Sequence, residues 1–237
     1  MYNASCFRKS LPEKRMKDLK FTDLQRYETL ILDLDGTLLD SMQVWNEVDE
    51  IFLGKRGFKV DKEYTDAVKS SSMIQSAEYT KRRYGLKESP EEIIAEWEET
   101  VGEEYKNNIR LKDGVKEFLL AAKEMGLKLT SATALNSRNA VNCLKNNGVY
   151  DLFENVTTLE DLGHEVNKND PAIFYLAAEK AGTEPSKCLV FEDVYGAIEG
   201  AIKGGFDSVI VYDELSSKDY SKALDIATYS VRDWKTV

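Results

Sequence analysis

The chain has 237 residues, 42% hydrophobic and 31% charged, the balance of a soluble globular protein made of one large domain or of a core plus one smaller unit. Acidic side chains outnumber basic ones 42 to 32, for a net charge of −10, and six of the basic residues crowd into the first twenty; the remaining surface repels nucleic acid and anionic lipid. No apolar run reaches membrane-span length, and Cys6, Cys143 and Cys188 lack CxxC spacing, which argues against a membrane anchor, a disulfide framework or a zinc site and points to a reducing cytoplasm.

Residues 1–27 read as a basic extension. From Thr29 an apolar run bounded by Asp and Gly (Leu30, Ile31, Leu32, Leu34) predicts a buried strand, and similar runs recur at 127–130, 188–191 and 209–212. Helical patterns separate them. Val115, Phe118, Leu119 and Ala122 recur at helix spacing, as do Ile173, Leu176 and Ala177, with Asp170-Pro171 as the start of that helix and Gly182 as its stop. Strands alternating with helices predict an α/β fold with a parallel sheet, whose ligands bind beyond the carboxyl ends of the strands. The alternation breaks once. Over 41–108 only helical periodicity appears (Val44, Val48, Ile51, Phe52; then Ile93, Trp97, Val101, Tyr105), with a capping box at Ser89 and Glu92. The expected organisation is therefore a core of 28–40 and 109–237 with an all-helical cap at 41–108.

Asp33-Leu34-Asp35-Gly36-Thr37 closes the first strand. Alternation places Asp33 and Asp35 on one side, and two carboxylates so close call for a cation; hard oxygen ligands select Mg²⁺. The alternative is an acidic hairpin turn at Asp35-Gly36. Glu192-Asp193 ends the strand at 188–191 and is either a helix N-cap or, if that strand neighbours the first, part of the same carboxylate cluster. Ser131 offers a hydroxyl at a strand end, and Lys168 a positive charge before the Asp170 helix. A single histidine, His164, leaves no His-pair metal site and reads as a surface residue.

In this order the residues resemble the four motifs of the haloacid dehalogenase-like superfamily: DxDGT at Asp33 to Thr37, Ser131, Lys168, and the acidic pair Glu192 and Asp193. The stretch from Leu189 to Ala197 and the helical insert after the first strand are similar to the β-phosphoglucomutase-like branch. Asn169 departs from the proline that usually follows the lysine, while Pro171 matches the family's second proline. The resemblance implies a Rossmann-like core with a helical cap and a Mg²⁺-dependent phosphatase acting on a small phosphorylated metabolite. Asp33 would attack phosphorus to form an aspartyl-phosphate, and Asp35 would serve as general acid and base. Mg²⁺ would be held by Asp33, Asp35 through its carbonyl, Glu192 and Asp193. Ser131, Ala132 and Lys168 would hold the phosphoryl oxygens, with Thr37 orienting the loop. Trp45, Met73, Gln75 and Asn136 would line the substrate pocket.

Two other readings compete. A sugar phosphomutase of this branch carries a cap His and a cap Arg, whereas this chain has Trp45 in the His slot and no Arg from Ser70 to Gln75. A non-catalytic binding protein of the same fold is the other, against which the full set of catalytic side chains speaks. Dehalogenases of the superfamily lack the second aspartate, so Asp35 argues against that activity. The expected partner is a small phosphoester, without nucleic acid or membrane.

Overall fold

The computed structural model describes residues 17–68, 73–163 and 167–237. His164, most of the basic extension and residues 70–72 of the 70–75 region lie outside them. Six parallel strands form one sheet: β1 (Thr29–Leu32), β2 (Lys128–Thr133), β3 (Asn155–Thr158), β4 (Cys188–Glu192), β5 (Asp207–Val211) and β6 (Tyr229–Val231), in the order β3-β2-β1-β4-β5-β6. The chain starts in the middle of the sheet, runs to one edge, then returns to build the other half. The strand order therefore reverses between β1 and β4, and a crevice opens there at the carboxyl ends.

Among the described residues, the first four helices after β1, namely α1 (Val44–Gly54), α2 (Lys62–Val68), α3 (Met73–Tyr84) and α4 (Pro90–Asn107), form the helical cap. The Ser89 capping box is formed, with the Glu92 amide donating to Ser89 Oγ at 3.2 Å and the Ser89 amide to Glu92 Oε2 at 2.7 Å. Two linkers carry the chain into and out of the cap, and they pair. The Asp40 amide donates to the Arg110 carbonyl at 2.9 Å and the Lys112 amide to the Leu38 carbonyl at 2.8 Å, a two-stranded ribbon between cap and sheet.

The core helices are α5 (Val115–Glu124), α6 (Ser137–Asn146), α7 (Ala172–Ala181), α8 (Tyr195–Lys203) and α9 (Tyr220–Ile226). Alternation along the strands divides the core. Leu30, Leu32, Leu189 and Phe191 face Phe118, Leu119 and Trp234, while Ile31 and Val190 face Ile173, Ala177 and Ala201 on α7 and α8. Both faces of the sheet are thus covered, as a parallel sheet requires. Helix α7 begins one residue later than the Asp170-Pro171 reading, although the Asp170 carboxylate does accept from the Ala172 amide at 2.9 Å, and Gly182 ends it at φ +63°.

The described end of the basic extension is part of the core. Leu19, Leu24 and Tyr27 are buried, and the Leu19 amide donates to the Ser230 carbonyl at 3.0 Å beside β6. No helix of the described residues is long and apolar enough to cross a membrane.

Candidate active site

Because β1 and β4 are neighbours in register (Leu32 beside Phe191), Asp33 leaves the sheet next to Glu192 and Asp193, its amide donating to the Phe191 carbonyl at 3.1 Å. All three carboxylates are buried, and ligand oxygens from each lie within 4.8 Å of one another. Asp193 Oδ2 is buried with no hydrogen-bond partner among the described residues. Oxygen donors gathered at this spacing, one of them unsatisfied, suit a hard divalent cation. Proton affinities agree. Burial and the neighbouring Asp33 charge lift the Glu192 carboxyl well above the ordinary range and raise Asp193 to about 7.

The turn that follows makes room for this cluster. Gly36 has φ +72°, and a Cβ there would lie 2.3 Å from Asp193 Oδ2, so glycine is needed both for the backbone and for the carboxylate's approach. Lys112, from the returning cap linker, ties the turn down, its ammonium donating to the Gly36 carbonyl and to Asp213 at 2.8 Å.

Lys168 reaches the cluster from the loop before α7. Its ammonium bonds Asp33 Oδ1 and, at 2.6 Å, Glu192 Oε1. Burial works against the charged form, yet the two carboxylates outweigh it and hold the Lys168 pKa above its usual value. The loop can come this close because α8 presents glycines to it. A Cβ at Gly200 would lie 2.1 Å from the Lys168 carbonyl oxygen, and one at Gly196 would lie 2.2 Å from Asn169 Oδ1.

Asp35 sits apart from the carboxylate cluster. Its Oδ1 accepts from Ser41 Oγ at 2.6 Å and from the Tyr105 hydroxyl of α4 at 2.8 Å. Burial raises it to about 6, with the Asp33 charge adding to the rise and the two hydroxyl donors opposing it. The arrangement is therefore two-sided: a carboxylate and a lysine over a cation-sized cluster, and a second carboxyl that can carry a proton near neutral pH.

Asp33, Asp35, Lys168, Glu192 and Asp193 line one cleft of about 320 Å³, together with Thr133, Ala134, Asn167 and Asn169. A larger cleft of about 850 Å³ between Phe21, Lys116 and Trp234 contains none of these carboxylates.

Residues 27–205 match the family described as haloacid dehalogenase-like hydrolase. The chain belongs to that family. YhcW of Bacillus subtilis is 29% identical over 203 residues, 84% of this chain and 91% of that one. The fructose-1-phosphate phosphatase YqaB of Escherichia coli is 28% identical over 194 residues, 79% of this chain and 97% of that one. A β-phosphoglucomutase-like structure from Thermotoga maritima shares the fold, with a TM-score of 0.77 at 22% identity over 88% of this chain and 95% of that one.

Not every residue expected at the site of this haloacid dehalogenase-like chain is there. Ser131 is fully buried within β2, where its hydroxyl accepts from the Thr157 amide at 3.0 Å, and Ala132 packs into the apolar layer under α7. The strand runs on to Thr133, two residues further along the same face, and Thr133 with Ala134 forms the cleft wall instead. Thr37 lies beneath the turn, its carbonyl accepting from the Trp234 indole at 3.3 Å, and does not line the cleft.

Of the cap residues, Trp45 and Met73 line two further clefts, of about 770 and 530 Å³. The larger shares Asp35 with the cleft of the three carboxylates and is also lined by Asn136, the smaller shares Met42. Gln75 is exposed on α3 and lines neither. Thr133, Asn167, Asn169, Ser41 and Tyr105 were not read from the sequence as site residues. Only Thr133 carried a usable signal, the period-two continuation from Ser131.

Proposed function

We propose that the chain is a Mg²⁺-dependent phosphatase that hydrolyses a small phosphorylated metabolite through an aspartyl-phosphate on Asp33. One observation carries the reading: Lys168 and the three carboxylates of Asp33, Glu192 and Asp193 meet at the carboxyl ends of two neighbouring strands, in one cleft with Asp35. The names of curated relatives such as YqaB, a sugar-phosphate phosphatase, point the same way.

In this reading the Asp33 carboxylate attacks phosphorus while Lys168 holds the nucleophile in place and offsets the charge of the incoming phosphoryl oxygens. Asp35 gives its proton to the departing alkoxide and then takes one from the water that opens the acyl phosphate. Thr133 and Ala134, which line the same cleft, offer a hydroxyl and backbone groups to the remaining phosphoryl oxygens. Asp33, Glu192 and Asp193 would hold Mg²⁺, which supplies charge neutralisation for the phosphoryl group when bound. An acidic protein can take an anionic substrate this way, because the positive charge is local to the cleft.

The test is phosphate release from p-nitrophenyl phosphate and a panel of sugar phosphates, with and without Mg²⁺, in wild type and Asp33→Asn. Mg²⁺-dependent release that vanishes in the variant is expected. Release that survives Asp33→Asn would remove the covalent route, and none from folded wild type would favour a binding protein.

A further inference from the structure

Both hydroxyls that reach Asp35 do so from the two ends of the cap. Ser41 follows the outgoing linker and Tyr105 precedes the returning one, three residues before Asn108 ends the last cap helix. Both donate to the same oxygen, Oδ1, and a carboxyl oxygen already accepting two O–H donors is a poor place for a proton. Tyr105 is buried at 3% exposure in the apolar layer between cap and sheet, and its burial beside Asp35 keeps it a neutral phenol, able only to donate to that carboxylate.

We propose that Tyr105 is a positioning residue: with Ser41 it occupies Asp35 Oδ1, fixes the plane of the carboxyl, and leaves Oδ2 as the oxygen that carries the transferable proton. Because Tyr105 rides on α4, the seating of the cap over the sheet sets the aim of the acid. The inference rests on the reading of Asp35 as the general acid. In that step the O–H bond at Oδ2 breaks as the P–O bond to the leaving group breaks, the proton goes to the departing oxygen, and Asp35 is left as the carboxylate.

A purely structural tyrosine and a positioning one differ in leaving-group dependence. p-Nitrophenolate departs without a proton, whereas phenolate profits from one, and the two aryl phosphates are nearly the same size. The readout is the ratio of kcat/KM for phenyl phosphate to that for p-nitrophenyl phosphate, which reports steps up to alcohol departure. Tyr105→Phe keeps the ring and is expected to lower this ratio about tenfold, within the contribution of a well-placed acid. A ratio within about threefold of wild type, whether or not both rates fall, would overturn the proposal. Thermal unfolding checks the variant, and Ser41→Ala, which removes the other donor and leaves the residues of α4 unchanged, carries the same readout if Tyr105→Phe does not fold. Asp35→Asn separates the two levels. If it leaves the ratio unchanged, the acid assignment itself falls; if it lowers the ratio and Tyr105→Phe does not, only the role of Tyr105 falls.

Discussion

Gly200→Ala isolates the packing that delivers Lys168 to the carboxylates. Gly200 lies inside α8 with ordinary helical backbone, so alanine brings no conformational strain there and would by itself favour the helix by about 1 kcal/mol. The new methyl group would meet the Lys168 carbonyl oxygen at 2.1 Å and the Asn169 carbonyl carbon at 3.0 Å. An unstrained contact needs about 3.5 Å, so the loop must retreat by roughly 1.4 Å or the helix must shift by as much. Overpacking against backbone costs about 1–3 kcal/mol, which outweighs the propensity gain. The same retreat moves an ammonium that bonds both Asp33 and Glu192, and a misplacement near 1 Å at a reacting group costs on the order of a hundredfold in rate. Part of that is recovered by the flexible lysine stem, so kcat/KM for p-nitrophenyl phosphate should fall by about ten- to a hundredfold while the melting temperature also drops. A variant that is more stable than wild type and fully active would refute the reasoning, since it would show that the Lys168 loop does not rest on α8.

Other perturbations reach the site or the cap from different directions. Gly36→Ala forces a side chain into φ +72° and against Asp193, so it should cost about 1–2 kcal/mol of stability and raise the Mg²⁺ concentration for half-maximal activity at least about tenfold; an unchanged metal titration would contradict this. Asp49, a part-buried cap residue bonded by the Tyr64 hydroxyl at 2.9 Å, has its carboxyl pushed up to about 6 by burial. A folded pKa above the unfolded one means that the folded state holds the proton more tightly. Asp49 therefore costs nothing below about pH 4 and up to about 3 kcal/mol above pH 6, less whatever solvent screens. Asp49→Asn, which keeps an oxygen for Tyr64, should raise the melting temperature at pH 8 by about twice as much as at pH 5; an equal gain at both would show that the titration is not involved.

How much was legible depended on whether a residue's role follows from local pattern or from where distant segments meet. Asp33, Lys168, Glu192 and Asp193 stand in an ordered set of motifs, and strand-like runs place Asp33, Glu192 and Asp193 at carboxyl ends, so the carboxylate cluster was legible from pattern, with Lys168 added by motif order alone. Ser131 failed because the apolar run stops at Thr130 while the strand does not. The small residues Ser131, Ala132 and Thr133 continue it, buried and without an apolar signature, and the cleft wall moves two positions along. β3 and β6 are short and poor in large apolar residues, so neither announced itself. Tyr105 sits on the apolar face of α4 as the periodicity requires, and its ring is indeed core. Its hydroxyl meets Asp35 only because the cap linkers pair, a long-range contact that helix spacing does not encode.

In the proposed reaction Asp33 becomes phosphorylated, in a site built from four distant segments. Acid-quenching wild-type enzyme during turnover of p-nitrophenyl phosphate with Mg²⁺, followed by mass spectrometry of its peptides, measures this directly. The phosphoryl group should appear on the peptide carrying Asp33, be lost on alkaline treatment as an acyl phosphate is, and be absent from Asp33→Asn. Turnover with no phosphorylated peptide at any quench time, or with phosphate on another residue, would contradict it.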